Sequence, residues 1–298
     1  MGKYRKQDNE KFMSSKNTFS STWLNMRESY DSDVRTKNIR KCIKGNDKIL
    51  DLGSGTGSFL RWCIRNDIFF NEILMIDYDE KLLQKVQSIT NKFCKLNNLE
   101  LKKISPKKFV LISKKNSKSI SISMKRNNLS SCNKIIKDYD VLNFSAVTDI
   151  LSKKYFINLF KNIIKNQTIF FNICFNGQIK WNKKNKYDKY IIYHFNQDQE
   201  TYKGDDLALG HKSIKLINEL SKKYDFSINT YDSSWNLHSN TDSKDFHLKY
   251  LKTIYKPLLK KDDIDVDILK SWYKEKLSLV EIGKLVTKVG HNDIIIKS

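Results

Sequence analysis

Apolar residues along this chain recur with two spacings, and the switching between the two outlines the elements it predicts. Trp23, Leu24, Met26, Tyr30, Val34, Ile39 and Ile43 are spaced for one or two helices over 22–44. A short apolar run at 48–52 reads as a buried strand; a helix over 58–65 and a second strand over 72–77 follow it. Asp79 then caps a helix whose stripe, Leu82, Leu83, Val86, Ile89, Phe93 and Leu96, has helical period. Between 100 and 126 the spacing drops to two: Phe109 and Leu111, a Lys-Asn-Ser turn, then Ile120, Ile122 and Met124. That pattern predicts a β-hairpin whose second arm continues as the third strand.

The fourth strand is expected over 139–144 with a helix over 146–165, and the fifth strand over 168–175. Asn176-Gly177 is a type I′ turn signal, so 178–181 is expected to fold back as a short return strand. A polar loop over 182–210 leads into a helix at 212–223, a sixth strand at 226–231 and a last strand at 293–297. Helical patterning over 246–259 and 266–286 marks a helical insertion of about 238–290 between the last two strands. Strands alternating with helices predict an α/β fold, a doubly wound, seven-stranded, mostly parallel sheet. The expected organisation is one domain over 19–298 behind a polar, disordered tail at 1–18.

In such sheets a ligand sits outside the carboxyl ends of the strands, which selects the residues that can touch it. The first of these are Asp51, Gly53, Ser54, Gly55 and Gly57, followed 20 residues after Gly57 by Asp77 at the tip of the second strand. Glycines let the backbone approach a ligand closely, and an acidic residue at that tip takes both hydroxyls of a ribose. A phosphate-cradling loop is excluded because no Lys-Ser or Lys-Thr follows Gly57. A dinucleotide fingerprint needs G-x-G-x-x-G, whereas this turn is G-x-G-x-G with Ser58 next. Asp51 would also repel a pyrophosphate, but it suits the cationic amino-acid end of S-adenosyl-L-methionine. The pattern D-x-G-x-G-x-G resembles the first motif of the class I S-adenosylmethionine-dependent methyltransferases. The alternative is a glycine-rich turn that binds nothing.

Beyond this third of the chain, the remainder is similar to a little-described group of bacterial class I methyltransferases. The likeness rests on Trp23-Leu24-Asn25-Met26-Arg27-Glu28, on Ser145-Ala146-Val147-Thr148-Asp149-Ile150, and on Asn176-Gly177. It continues through Phe195-Asn196, Gln199, Lys203-Gly204, Ala208-Leu209-Gly210, Ser234-Trp235-Asn236-Leu237 and Gly290-His291-Asn292-Asp293. Three positions depart from the group: Asp198 replaces its usual His, Tyr202 its Asp, and Asn128 stands where an acidic residue is common. If that His removes a proton in relatives, proton removal differs here. The resemblance implies methyl transfer from S-adenosylmethionine and names no acceptor.

Asp51 is assigned to the methionine ammonium, with a helix-capping carboxylate as the alternative. Asp77 is assigned to the ribose, Tyr78 to stacking on adenine, and Asn128 to the adenine amino group, or else to a turn. Asn143 and Ser145 would border the methionine chain. Arg27 would clamp a carboxylate of substrate or cofactor, with a surface helix charge as the alternative. Asn196, Asp198, Gln199 and Lys203 lie on a loop at the ligand edge, where functional side chains concentrate. Asp198 and Lys203 are candidates for catalysis, and Asn196, Gln199 and Lys203 for substrate binding. His291 opens an antiparallel last strand, which would bring an imidazole, the usual base near neutral pH, close to the substrate. A turn-stabilising role is its alternative; His194 and His211 read as structural.

Charge adds a rival. The net charge is +22, with 55 basic residues, yet only seven of those are Arg, the side chain suited to bidentate phosphate contacts. Lys, Asn and Ile abound while Pro (2) and Gly (10) are scarce, as an AT-rich genome writes on neutral positions. Codon bias therefore accounts for the charge, with RNA as the rival substrate. Strand four also lacks the N/D-P-P-[YF] element of amino-methylating nucleic-acid enzymes. The five cysteines are scattered with no C-x-x-C pair, so neither a metal site nor a disulfide framework is expected, and a reducing cytoplasm is. The longest apolar run is far short of the ~20 residues of a membrane span. The amino end has no apolar stretch of a secretion signal, nor a myristoylation pattern. A small-molecule methyltransferase is the expectation; an RNA methyltransferase and a non-catalytic S-adenosylmethionine-binding module are the alternatives.

Overall fold

The computed structural model describes residues 20–202, 206–240 and 243–298; the tail at 1–18 and Lys203 lie outside the described residues. Helix α1 (Ser21–Val34) and a 3-10 turn at Lys37–Lys41 lead into β1 (Lys48–Leu52), α2 (Ser58–Arg65), β2 (Glu72–Asp77) and α3 (Glu80–Leu96). The side chain of Asp79 accepts the N–H of Lys81 and starts α3 as the sequence predicts. Next come β3 (Leu99–Ser105), β4 (Lys108–Ser113), β5 (Ser119–Arg126), β6 (Val141–Ser145), α4 (Lys153–Asn162) and β7 (Thr168–Trp181). The chain finishes with α5 (Asp188–Gln199), α6 (Ser213–Lys223), β8 (Ser227–Asp232), β9 (Trp235–His238), α7 (Lys244–Leu258), α8 (Val266–Glu281) and β10 (Val286–Lys297).

The ten strands of the described residues join one sheet in the order β3-β4-β5-β2-β1-β6-β7-β10-β8, with β9 paired to β10 beside that path. The run β5-β2-β1-β6-β7 is parallel, and β10 is antiparallel to both β7 and β8. Those seven strands are the expected doubly wound sheet. The hairpin arm ahead of the third strand is β4, while β3 and β9 are additions the spacing does not reveal. Helices cover both faces because the central strands are apolar on both: Phe170 joins one core with α2 and α3, and Phe171 joins the other with α4 and α6. A third core, centred on Trp181, Trp235, Phe246, Leu251 and Trp272, lies beneath α5, α7 and α8.

Four expectations are corrected. β7 does not reverse at Asn176-Gly177: it runs straight on to Trp181, because β10 starts at Val286 and supplies partners as far as Trp181. Gly177 uses its positive φ of 82° within the strand instead. The loop expected at 182–210 contains α5, in which Ile191, His194 and Phe195 are buried at helical spacing. The helix after β6 is shorter than 146–165, since Ser152 accepts the N–H of Tyr155 and caps it there. The last strand is 12 residues long rather than five, which narrows the helical insertion to α7 and α8.

Candidate active site

The glycine turn is built at the carboxyl end of β1. Gly53, Gly55 and Gly57 all have left-handed φ, at 77°, 54° and 82°. The N–H groups of Gly53 and Ser54 both donate to the carbonyl of Ile76 at 2.9 Å, which ties the turn to the tip of β2. A Cβ on Gly53 would lie 2.6 Å from Val147 Cγ1, so dihedral and space both demand glycine there.

Two carboxylates flank this turn in different states. Asp51 is 1% exposed, and its Oδ1 accepts from Asn143 Nδ2 at 2.7 Å. Its Oδ2 is buried with no partner. Burial pushes its pKa up to about 7, against the opposing effects of the Asn143 hydrogen bond and the Arg35 charge. Asp77 is half-buried, and its oxygens accept the N–H of Gly55 at 2.8 Å and of Asp79 at 2.9 Å. Burial raises its pKa too, while those N–H groups act to lower it. An ionised carboxylate has about four lone-pair sites, so Asp77, fixed by backbone N–H groups, retains acceptor capacity for a diol.

A polar chain extends from Asp51 under the edge of the sheet. Asn143 Oδ1 accepts from Asn172 Nδ2 at 2.7 Å, and Ser145 Oγ accepts from Asn143 Nδ2 at 3.2 Å and from Arg35 Nη1 at 2.9 Å. Arg35 Nε and Asn172 Oδ1 have no partner, like Asp51 Oδ2. Sequence spacing identifies Asn143 and Ser145 but misses Arg35, Asn172 and Asp293. Asp293 is buried and accepts the N–H of Thr36 at 2.6 Å and of Ile173 at 2.7 Å. Ile173 has φ of 53°, costly for a β-branched residue, at a register shift between β7 and β10. Asp293 therefore holds a strained bulge at the ligand edge.

Helix α1 covers the turn. A Cβ on Gly55 would touch Leu24 at 3.2 Å, so the two are in close apposition. Glu28 pairs with Arg61 of α2 through both oxygens, at 2.9 and 2.6 Å. Arg61 Nη1 also donates to the Thr56 carbonyl at 2.6 Å, which clamps the turn from below. Arg27, expected to meet a carboxylate of substrate or cofactor, pairs instead with Asp31 on its own helix at 2.9 and 3.2 Å, and it stacks over Trp235 at 4.8 Å. Trp235 Nε1 donates to Asp31 Oδ1 at 3.1 Å, fixing α1 to β9.

His291 lies against Trp235 (ring centroids 4.6 Å) and Phe175 (5.9 Å), as a packed imidazole rather than an open base. Burial first, then the Arg27 charge, lowers its pKa to about 3, so the ring is neutral near pH 7 and its Nδ1 lacks a partner.

The remaining sequence candidates are dispersed. Tyr78 is 58% exposed beside Asp77, with the guanidinium of Arg126 5.3 Å from its ring. Asn128 is exposed and accepts the N–H of Ser130, as a turn-forming Asn does. Asn196, Asp198 and Gln199 sit on α5, not on a loop. Asn196 Nδ2 donates to the Gly177 carbonyl at 3.0 Å, and Asp198 pairs with Lys261 at 3.9 Å, directed at the insertion. Gln199 packs against Gly210. His211 stands beside Gly177 with Glu200 at 3.6 Å, and His194 packs between Tyr190 and Tyr193.

Among the described residues no group of three His, Cys, Asp or Glu side chains is placed to hold a metal ion. No described helix is long and apolar enough to cross a membrane.

No protein-family model matches this chain, and neither does any curated protein. Solved structures do align with it. A SAM-dependent methyltransferase from Archaeoglobus fulgidus is 13% identical over 94% of this chain and 100% of its own, with a TM-score of 0.43. One from Thiobacillus denitrificans, in complex with S-adenosylhomocysteine, is 9% identical over 95% and 93%, with a TM-score of 0.41. A phosphoethanolamine N-methyltransferase of Haemonchus contortus is 13% identical over 96% of this chain and 59% of its own, with a TM-score of 0.42. These likenesses are weak, so the reading of function rests on the residues of this chain. On its strand order, its antiparallel β10 and the glycine turn after β1, the chain has the Rossmann-like methyltransferase fold.

Proposed function

We propose that this chain transfers the methyl group of S-adenosyl-L-methionine to a small-molecule acceptor. One observation carries the reading: a buried carboxylate oxygen without a partner, Asp51 Oδ2, lies at the end of a left-handed glycine turn, across from a carboxylate with spare acceptor sites. A buried unpaired carboxylate is expensive, and an ammonium group satisfies it. Asp51 would hold the α-ammonium, Asp77 the ribose diol, and Tyr78 with Arg126 the exposed rim around adenine. When bound, the cofactor supplies an electrophilic sulfonium methyl.

The residues of the chain then position and shield. Gly53 and Gly55 bring the backbone close, and Asn143 orients Asp51. Helix α1 lies over the turn, so water is excluded once a ligand is enclosed. In-line displacement needs mainly alignment, worth up to ~7–11 kcal/mol. A small acceptor is favoured because the edge is roofed by α1, β9 and α7, where Trp23 and Tyr30 stack on Phe246 and Trp235 meets it edge-on.

Titration calorimetry with S-adenosylmethionine and S-adenosylhomocysteine tests the cofactor. Asp77→Ala is expected to weaken both by ~1.5–3 kcal/mol, the worth of hydrogen bonds to a charged group. Unchanged affinity would remove Asp77 from the ribose. Single-turnover transfer of labelled methyl to a metabolite extract tests the reaction. Label in RNA would favour the rival acceptor, and no transfer would leave a binding module.

A further inference from the structure

The sheet does not end at β5, as seven strands would have it, but continues into β4 and β3. Residues 98–126 carry nine basic side chains against one acidic, so a tenth of the chain holds more than a third of its net charge. Only one face of this extension is covered. Phe109, Leu111, Ile120, Ile122 and Met124 pack into the core with α3. On the opposite face the register aligns Lys102 with Val110 and Ser121, Lys108 with Ser123, and Ile112 with Ser119, while Lys125 continues the serine column. No described helix packs on this face, and Ser119, Ser121, Lys102, Lys108 and Lys125 are exposed.

Neutralisation is sparse. Lys102 lies 3.8 Å from Glu100, which shares this face through its register with Ile112, and Lys107 lies 3.1 Å from Glu80; Lys108 and Lys125 on this face, and Lys114 and Lys115 in the β4-β5 turn, have no ion pair among the described residues. Codon bias spreads lysine over neutral positions; it does not by itself set Lys102, Lys108 and Lys125 in register with a serine column on one uncovered face. A strand rises ~3.4 Å per residue, so alternate side chains on one face recur every ~7 Å. That repeat suits successive phosphates of an extended nucleic-acid strand, and Lys and Ser are side chains that contact phosphates without reading bases.

We propose that the outer face of β3-β4-β5 binds the phosphodiester backbone of single-stranded RNA, independent of sequence. The face lies outside the glycine turn and its cover, so the proposal does not rest on the methyl-transfer reading. An anionic membrane fits less well. Interfacial binding requires protruding apolar side chains, and those on this face, Val110 and Ile112, are half-buried.

The test is fluorescence anisotropy of a labelled uridine 15-mer with the full chain at several salt concentrations. Binding should weaken with salt at a slope of ~0.7 per neutralised phosphate. The variant Lys102→Glu/Lys108→Glu/Lys125→Glu should lose at least tenfold in affinity and flatten the slope, with S-adenosylhomocysteine affinity unchanged. The control Lys222→Glu/Lys223→Glu/Lys256→Glu alters net charge equally on exposed positions elsewhere and should retain most of the binding. Absence of RNA binding at about physiological salt, or equal loss in both variants, overturns the proposal. Binding to phosphatidylserine vesicles but not to RNA overturns it in favour of a membrane. If the reversed variant fails to fold, the Lys→Gln set at the same positions makes the same comparison with a smaller drop.

Discussion

Asp51 is held in a state that the rest of the fold does not need. Its Oδ1 is satisfied by Asn143, its Oδ2 is buried alone, and burial brings its pKa to about 7. That rise spans about three pH units at ~1.4 kcal/mol each, so the ionised carboxylate destabilises the ligand-free chain by on the order of 4 kcal/mol above pH 7. Asp51→Asn keeps an acceptor for Asn143 and removes the charge. At pH 8 the variant should unfold at higher urea than the parent, and it should bind S-adenosylhomocysteine at least tenfold more weakly. A variant that loses stability would return Asp51 to the structural residues. The arginines follow a related logic. In a chain that writes charge mostly as lysine, Arg27, Arg35, Arg61 and Arg126 each stand where a planar fork is used, in a bidentate pair, on a hydroxyl or over a ring. Their scarcity was a signal in the sequence, and it would have pointed to Arg35.

Helix α1 binds its neighbours through a few strong contacts rather than one wide apolar face. Glu28 reaches Arg61, Asp31 reaches Trp235, and Trp62 donates to the Ser32 carbonyl at 3.2 Å. For Glu28, burial acts to raise the pKa, but the Arg61 hydrogen bonds and charge outweigh it and the net shift is downward. Arg61→Ala leaves Glu28 buried with only Arg65 at 3.3 Å. The expected loss is ~3–5 kcal/mol in urea unfolding, as for a buried pair broken from one side. Cofactor affinity should also fall, because Arg61 holds the Thr56 carbonyl of the turn. An intact affinity would mean that α1 is not part of the cover. The elements whose signals are local, the glycine turn, α3 and the β4-β5 hairpin, were legible in the sequence. Those set by distant partners were not. Asn176-Gly177 reads as a reversal, yet β10 on one side and His211 on the other keep β7 straight. The run Tyr190–Phe195 has strand-like composition, and its helical burial emerges only with α7 and α8 above it. Asn172 and Asp293 reach the site through a strand crossing and a bulge that no spacing along the chain encodes.

At the scale of the molecule, two buried groups titrate in opposite directions, and a ligand should unmask one of them. The ligand-free chain holds a proton on Asp51 up to about pH 7, whereas the unfolded chain loses it near pH 4. Stability from this group therefore falls as pH rises between those values. His291 does the reverse: with its pKa lowered to about 3, it contributes stability present above ~6.5 and lost as pH falls toward 3. Between about pH 4 and 6.5 these two contributions oppose each other, so their sum depends weakly on pH. A bound ammonium stabilises ionised Asp51 and displaces its proton below pH 7. Affinity for S-adenosylhomocysteine should then be about tenfold higher at pH 8 than at pH 6, equivalent to ~1.4 kcal/mol. Ligand-induced stabilisation follows affinity, so at fixed excess ligand the melting shift should grow by a few degrees across that interval and level off above it. The same protein as Asp51→Asn, titrated with enough ligand to bind, should show a pH-independent shift. If the parent does as well, the ammonium does not meet Asp51, and the orphaned oxygen at the end of β1 needs another partner.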